Sequence, residues 1–137
     1  MAQSIDSSRT ETLSADGGGL RTVRALIAAV DNAAFDTLED LVAADVYFRF
    51  GNVEPTRSRN ELIAAARSFR AGIAGLRHDV VDLWQIDDQV VVAIMNVHYW
   101  RIDGQELILP CCNIFRVAAG TVHDYRIYMD VNPVFAP

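Results

Sequence analysis

The sequence predicts an α+β fold in which a curved antiparallel sheet wraps around N-terminal helices and encloses one apolar pocket. Three observations carry this. Apolar residues recur at helical spacing only before Gly75. After Gly75 the pattern becomes a series of long strands separated by short turns. One further short strand interrupts the helical half, so the order is helix, helix, strand, helix, then an antiparallel meander.

The first helix spans Leu20 to Asp31, with Leu20, Val23, Leu26, Ile27 and Val30 on one face. Asn32-Ala33-Ala34 breaks it. Asp36 starts a second helix, Asp36 to Ala43, as its N-terminal cap, with Glu39 at the capping-box position. Asp45 to Phe50 reads as a strand, and Gly51 to Arg57 as a loop holding Pro55. Ser58 opens a third helix, again with a capping-box glutamate, Glu61, and an apolar stripe of Leu62, Ala65, Ala66 and Phe69. The meander strands are Leu76–Ile86, Gln89–Ile102, Glu106–Ala118 and Thr121–Val131. Asp87-Asp88, Asp103-Gly104 and Ala119-Gly120 are their tight turns. Antiparallel strands this long twist and curl, so the helices fill the concave side.

The strand Gln89–Ile102 is apolar on both faces except at Asn96 and His98. Alternation groups Val90, Val92, Ile94, Asn96, His98 and Trp100 on one face and Val91, Ala93, Met95, Val97 and Tyr99 on the other. The first face is expected to line the pocket, where Asn96 and His98 need partners because an unpaired buried polar group costs about 1–3 kcal/mol. The second, with Ile108, Cys112 and Ile114, is expected to be the convex surface, covered by a second copy in a homodimer.

The chain has 137 residues, read as a flexible tail over residues 1–19 and a single domain over 20–137. Twelve basic and eighteen acidic residues leave a net charge of −6, which argues against nucleic acid and anionic membrane as partners. There is no transmembrane run and no signal-peptide pattern. Cys111 and Cys112 are adjacent and point to opposite faces, so they read as reduced thiols of a cytoplasmic protein, and no zinc-ligand spacing is present.

The element order, the segment FGNVEPTRSRNELI and the ending DYRIYMDVNP resemble the SnoaL-like family of the wider nuclear transport factor 2 / ketosteroid isomerase-like superfamily, over about residues 20–135. The resemblance implies a cone-shaped fold and a small-molecule pocket. It puts Phe50 where ketosteroid isomerases carry an aspartate. It puts Ile94, Asn96 and Ile127 where limonene-epoxide hydrolases carry their charged residues. The closest site pattern is that of scytalone dehydratases, which implies Asp31, His78, His98 or its neighbour, Cys111 and Asn113 as site residues.

The candidate catalytic residues are therefore His98, His78 and Asp31. The candidate substrate-binding residues are Asn96, Asn113, Cys111, Phe48, Phe50, Trp100, Leu109, Ile127 and Met129. An imidazole exchanges a proton near neutral pH, and a carboxylate beside it orients the ring. The expected function is cofactor-independent, metal-free acid–base catalysis on a small lipophilic carbonyl compound of polyketide or steroid type. The reaction would be that of a dehydratase, isomerase or cyclase. Two alternatives stand beside it: a non-catalytic hydrophobic-ligand or dimerising module, and an epoxide hydrolase. What separates catalyst from module is whether His78, His98 and Asp31 meet on an open cavity.

Overall fold

A computed structural model describes residues 18–137. Helix α1 (Gly18–Asp31) is followed by α2 (Phe35–Leu41), strand β1 (Val42–Phe50) and helix α3 (Arg59–Ala71). Strands β2 (Gly75–Gln85), β3 (Val90–Trp100), β4 (Glu106–Ala118) and β5 (Thr121–Tyr128) come next, and a short helix α4 (Asn132–Phe135) closes the chain. The tail expected over 1–19 lies outside the described residues up to residue 17, while Gly18 and Gly19 already belong to α1. A Cβ on Gly19 would stand 2.6 Å from Gln85 Oε1, so a larger residue there would displace the Gln85 side chain.

The five strands form one mixed sheet in the order β1-β5-β4-β3-β2, curved around the helices. The meander is antiparallel throughout, but β1 joins β5 in parallel at the edge. The long connection through α3 and the meander makes that parallel return possible. Several element boundaries differ from expectation. The second helix ends at Leu41 because Val42 and Ala43 are already buried strand residues. Its cap position is Ala34, with no side-chain hydrogen bond, so Asp36 lies inside the first turn, where its charge favours the positive end of the helix dipole. The last strand stops at Tyr128, and Pro133 sits in the first turn of α4. The cap expected at Ser58 is present: its hydroxyl accepts from the Glu61 amide at 3.2 Å and donates to Glu61 Oε1 at 3.0 Å.

The β3–β4 hairpin fixes which face looks inward, and it reverses the expectation. The turn is one residue longer than Asp103-Gly104 alone. The Gly104 amide donates to the Arg101 carbonyl at 3.0 Å, Arg101 N–H pairs with Gln105, and Gly104 adopts φ +92°. This is a three-residue loop closed by a left-handed glycine. A shift of one residue in the turn sends every side chain of the strand to the other face. The resulting register sets Ala93 opposite Asn113, Met95 opposite Cys111 and His98 opposite Ile108. Val91, Ala93 and Val97 are 0 % exposed, Met95 1 % and Tyr99 2 %, so this is the concave face. Asn96, His98 and Trp100 stand instead on the convex side, with Val92, Ile94, Ile108, Cys112 and Ile114.

Beneath the concave face, Val23 and Leu26 of α1, Leu38 of α2 and Leu62 of α3 pack on Val91, Met95, Phe115 and Val122 to form the core. The ordered half of the interior is thus filled near α1. Between α3, β1 and the middle of the sheet, space remains.

Candidate functional site

That space is a cavity of about 430 Å³, within the usual range for small-molecule sites. Its walls are mainly apolar: Val30, Phe35, Leu38, Leu62, Ala66 and Phe69 from the helices, Phe48 and Phe50 from β1, and Ile127 and Met129 from β5 and just beyond it. Val53 and Phe135, 64 % and 51 % exposed, mark the rim between the β1–α3 loop and α4. Ring contacts stiffen this wall, with Phe69 at 5.4 Å from Phe50 and 5.6 Å from Phe135.

A few polar groups converge on the apolar lining. Asp31, the last residue of α1, reaches the first half of β2. Both its carboxylate oxygens accept the His78 backbone N–H at 3.1 Å, and Oδ1 accepts the ring Nδ1–H at 2.5 Å. The His78 and Asp31 side chains are 9 % and 19 % exposed. Two of these contacts hold the His78 backbone and one holds the ring, whose Nδ1 carries the donated proton, so Nε2 of the neutral imidazole presents a lone pair. The His78 side chain lines the cavity.

On β4, Asn113 is 1 % exposed and accepts from the Cys111 thiol at 3.1 Å. That contact occupies the amide oxygen and turns the amide hydrogens to other acceptors. Burial pushes the Cys111 thiol up to about 12, with a smaller push from Cys112, so Cys111 is a neutral donor near pH 7 and not a nucleophile. Two tyrosines complete the polar set. Tyr99 donates to Met129 Sδ at 3.4 Å, and Tyr125 is held between Phe115 and Phe48. Burial, foremost, raises both phenols far above the usual tyrosine range. Two buried polar atoms of cavity-lining residues have no hydrogen-bond partner: Thr56 Oγ1 and Arg70 Nε.

The structure therefore brings Asp31 and His78 together, and places Cys111, Asn113, Phe48, Phe50, Ile127 and Met129 around the same cavity. Leu109 shares their face of β4 but packs on the core outside the lining. His98, Asn96 and Trp100 do not take part. His98 Nε2 lies 2.8 Å from Asp79 and 3.3 Å from Arg77, its ring stacks on Trp100 at 6.2 Å, and Asn96 is exposed. Asn96 and His98 point outward because the three-residue turn assigns them to the convex side, where His98 meets Asp79 and Arg77. Sequence reasoning missed Tyr99 and Tyr125. Tyr99 fell on the wrong side with the rest of its face, whereas Tyr125 alternates with Ile127 and Met129, a signal that was available.

Among the described residues, no three His, Cys, Asp or Glu side chains are grouped as metal ligands would be, and no helix is long and apolar enough to cross a membrane.

Comparison with known proteins agrees with this architecture. The sequence pattern of the SnoaL-like domain matches residues 23–125, so the chain belongs to that family. No protein of curated function matches it. Among solved structures, an epoxide hydrolase of the limonene-epoxide-hydrolase-like type from M. tuberculosis is similar, with 19 % identity, 86 % of each chain covered and a TM-score of 0.74. A protein of Jannaschia sp. assigned as a SnoaL-like polyketide cyclase has 17 % identity over 86 % of this chain and 89 % of its own, with a TM-score of 0.75. A ketosteroid isomerase-like protein of Catenulispora acidiphila, in complex with trimethylamine, has 15 % identity over 82 % and 88 %, with a TM-score of 0.75. At these identities the likeness is one of fold alone.

Proposed function

We propose that this SnoaL-like protein is a cofactor-independent acid–base catalyst acting on a small lipophilic carbonyl compound of polyketide or steroid type, by dehydration or isomerisation. One observation carries the reading: a histidine clamped by a carboxylate stands in the wall of a mainly apolar cavity. A structural histidine needs only a hydrogen bond. One whose Nδ1–H is fixed by Asp31 while its ring borders ligand-sized space has the layout of a general base.

In the proposed reaction His78 Nε2 removes a proton from the carbon alpha to the carbonyl. The C–H electron pair forms the enolate double bond, and negative charge moves to the carbonyl oxygen. Asp31 holds the ring and stabilises the imidazolium as it forms. Asn113 donates an amide hydrogen to the charged oxygen, in a cavity dry enough to strengthen that bond. In a dehydration the imidazolium returns its proton to the departing beta hydroxyl, which leaves as water. In an isomerisation the proton returns to another carbon. His98 has no part in this scheme.

The convex face supports a second proposal, a homodimer through Val92, Ile94, Trp100, Ile108, Cys112 and Ile114. Ile108 is 55 % exposed in the single chain, and an apolar sheet face of this kind is normally covered. Two cysteines without a disulfide fit a reducing, cytoplasmic setting.

The test of the catalytic reading is a panel of aryl beta-hydroxy ketones, including the one that dehydrates to benzalacetone, followed by ultraviolet absorbance of the enone. The purified protein is expected to accelerate formation of at least one conjugated product. Tight binding of panel members with no acceleration would favour the non-catalytic module, and conversion of terpene epoxides alone would favour the hydrolase.

A further inference from the structure

Tyr125 is the polar group of the cavity that the scheme above leaves idle. Its side chain borders the cavity and is 5 % exposed. Its ring is stacked on Phe115 at 4.9 Å and meets Phe48 edge-on at 5.0 Å, so the position of the hydroxyl is set by packing. The other cavity phenol, Tyr99, is engaged with Met129. On the sheet, Asn113 lies opposite Ile127, and Tyr125 sits two residues along β5 on the same face. Diagonal cross-strand neighbours of this kind lie about 7–8 Å apart, close enough for both side chains to reach one atom between them.

We infer that Tyr125 is a further catalytic residue, donating its O–H to the substrate's carbonyl oxygen alongside the amide of Asn113. The inference rests on the acid–base reading above. As His78 Nε2 takes the alpha proton and the C–H pair becomes the enolate double bond, the oxygen gains charge between two fixed donors. The Tyr125 proton stays on the phenol and is shared through a hydrogen bond. No proton leaves the pair, so the balance of the step is unchanged. Desolvation, together with smaller contributions from Cys111, Tyr99 and Asp31, keeps this phenol protonated, which is the form a donor needs. The assignment also narrows the substrate. The carbonyl must be carried so that its oxygen meets β4 and β5 while its alpha carbon faces β2.

The experiment reads the bound carbonyl directly and needs no turnover. Acetonaphthone with an isotope-labelled carbonyl, which cannot dehydrate, is bound to the wild type, Tyr125→Phe and His78→Gln proteins, and the C=O stretch is recorded by infrared difference spectroscopy. The band is expected at lower wavenumber in the wild type and in His78→Gln than in hydrocarbon solvent, and to return towards the hydrocarbon value in Tyr125→Phe. Affinity for the Phe variant should fall by up to about tenfold, the scale of one hydrogen bond. A band in Tyr125→Phe at the same position as in the wild type overturns the role of Tyr125 and leaves the His78 scheme intact. A wild type that does not bind the ketone at all overturns both.

Discussion

Replacing His78 by Gln is expected to lower turnover of a converted beta-hydroxy ketone by about 10²–10⁴-fold, the usual contribution of a positioned general base. Glutamine keeps a hydrogen-bonding side chain against Asp31 and leaves the strand and the cavity intact, so circular dichroism should not change. Asp31→Asn is the sharper companion. Asn can offer an N–H to Nδ1, which favours the imidazole tautomer with its proton on Nε2, the atom that must accept one. Turnover should then fall by about a hundredfold or more while KM moves little, because the lost interaction matters only as the imidazolium forms. The substitution also removes one of the two carboxylate oxygens that accept the His78 backbone N–H at 3.1 Å, so a modest loss of stability accompanies it. If both variants turn over at the wild-type rate, His78 is not the base.

The largest effect on stability is expected from Phe115→Ala, at about 3–5 kcal/mol. Phe115 is 0 % exposed, lies at the centre of β4 and is stacked on Tyr125 at 4.9 Å. Removing the ring opens a void that close-packed neighbours on α1 and β3 cannot fill without moving. It also frees Tyr125 to leave the position in which its hydroxyl borders the cavity. Urea unfolding followed by tryptophan fluorescence measures the loss. A change below about 1 kcal/mol would mean the core collapses around the gap, and that the packing described here is looser than the burial implies.

Most of the architecture was legible because it rests on local rules. Leu20, Val23, Leu26 and Ile27 announce α1 by spacing alone, Ser58 and Glu61 announce the start of α3, and Ala119-Gly120 announces a two-residue hairpin in which both residues take positive φ. The pairing of Asp31 with His78 was equally visible, since Asp31 ends a helix and His78 lies near the start of a strand that must return past it. The inward face of β3 was not visible. Alternation tells which residues share a face but not which face is inside, and Val90 to Trp100 is apolar on both. The decision lay in the Ile102–Gly104 loop. Read as two residues, the turn pairs His98 with the cavity face of β4; with its actual three, it pairs Tyr99 with Leu107 and His98 with Ile108. One residue of turn length thus moved a histidine, an asparagine and a tryptophan out of the site and brought a tyrosine in. The parallel seating of β1 on β5 was hidden for a related reason, because strands far apart in sequence leave no local trace of their pairing.

The three histidines of the chain allow the central claim to be tested in one titration. Nitrogen-15 NMR of the imidazoles, recorded while acetonaphthone is added, should show the Nε2 signal of His78 moving as the cavity fills. The resonances of His98, beside Asp79 on the convex face, and of exposed His123 should stay in place. Movement of His98 alone, or of none of the three when the ketone is bound, would contradict the account.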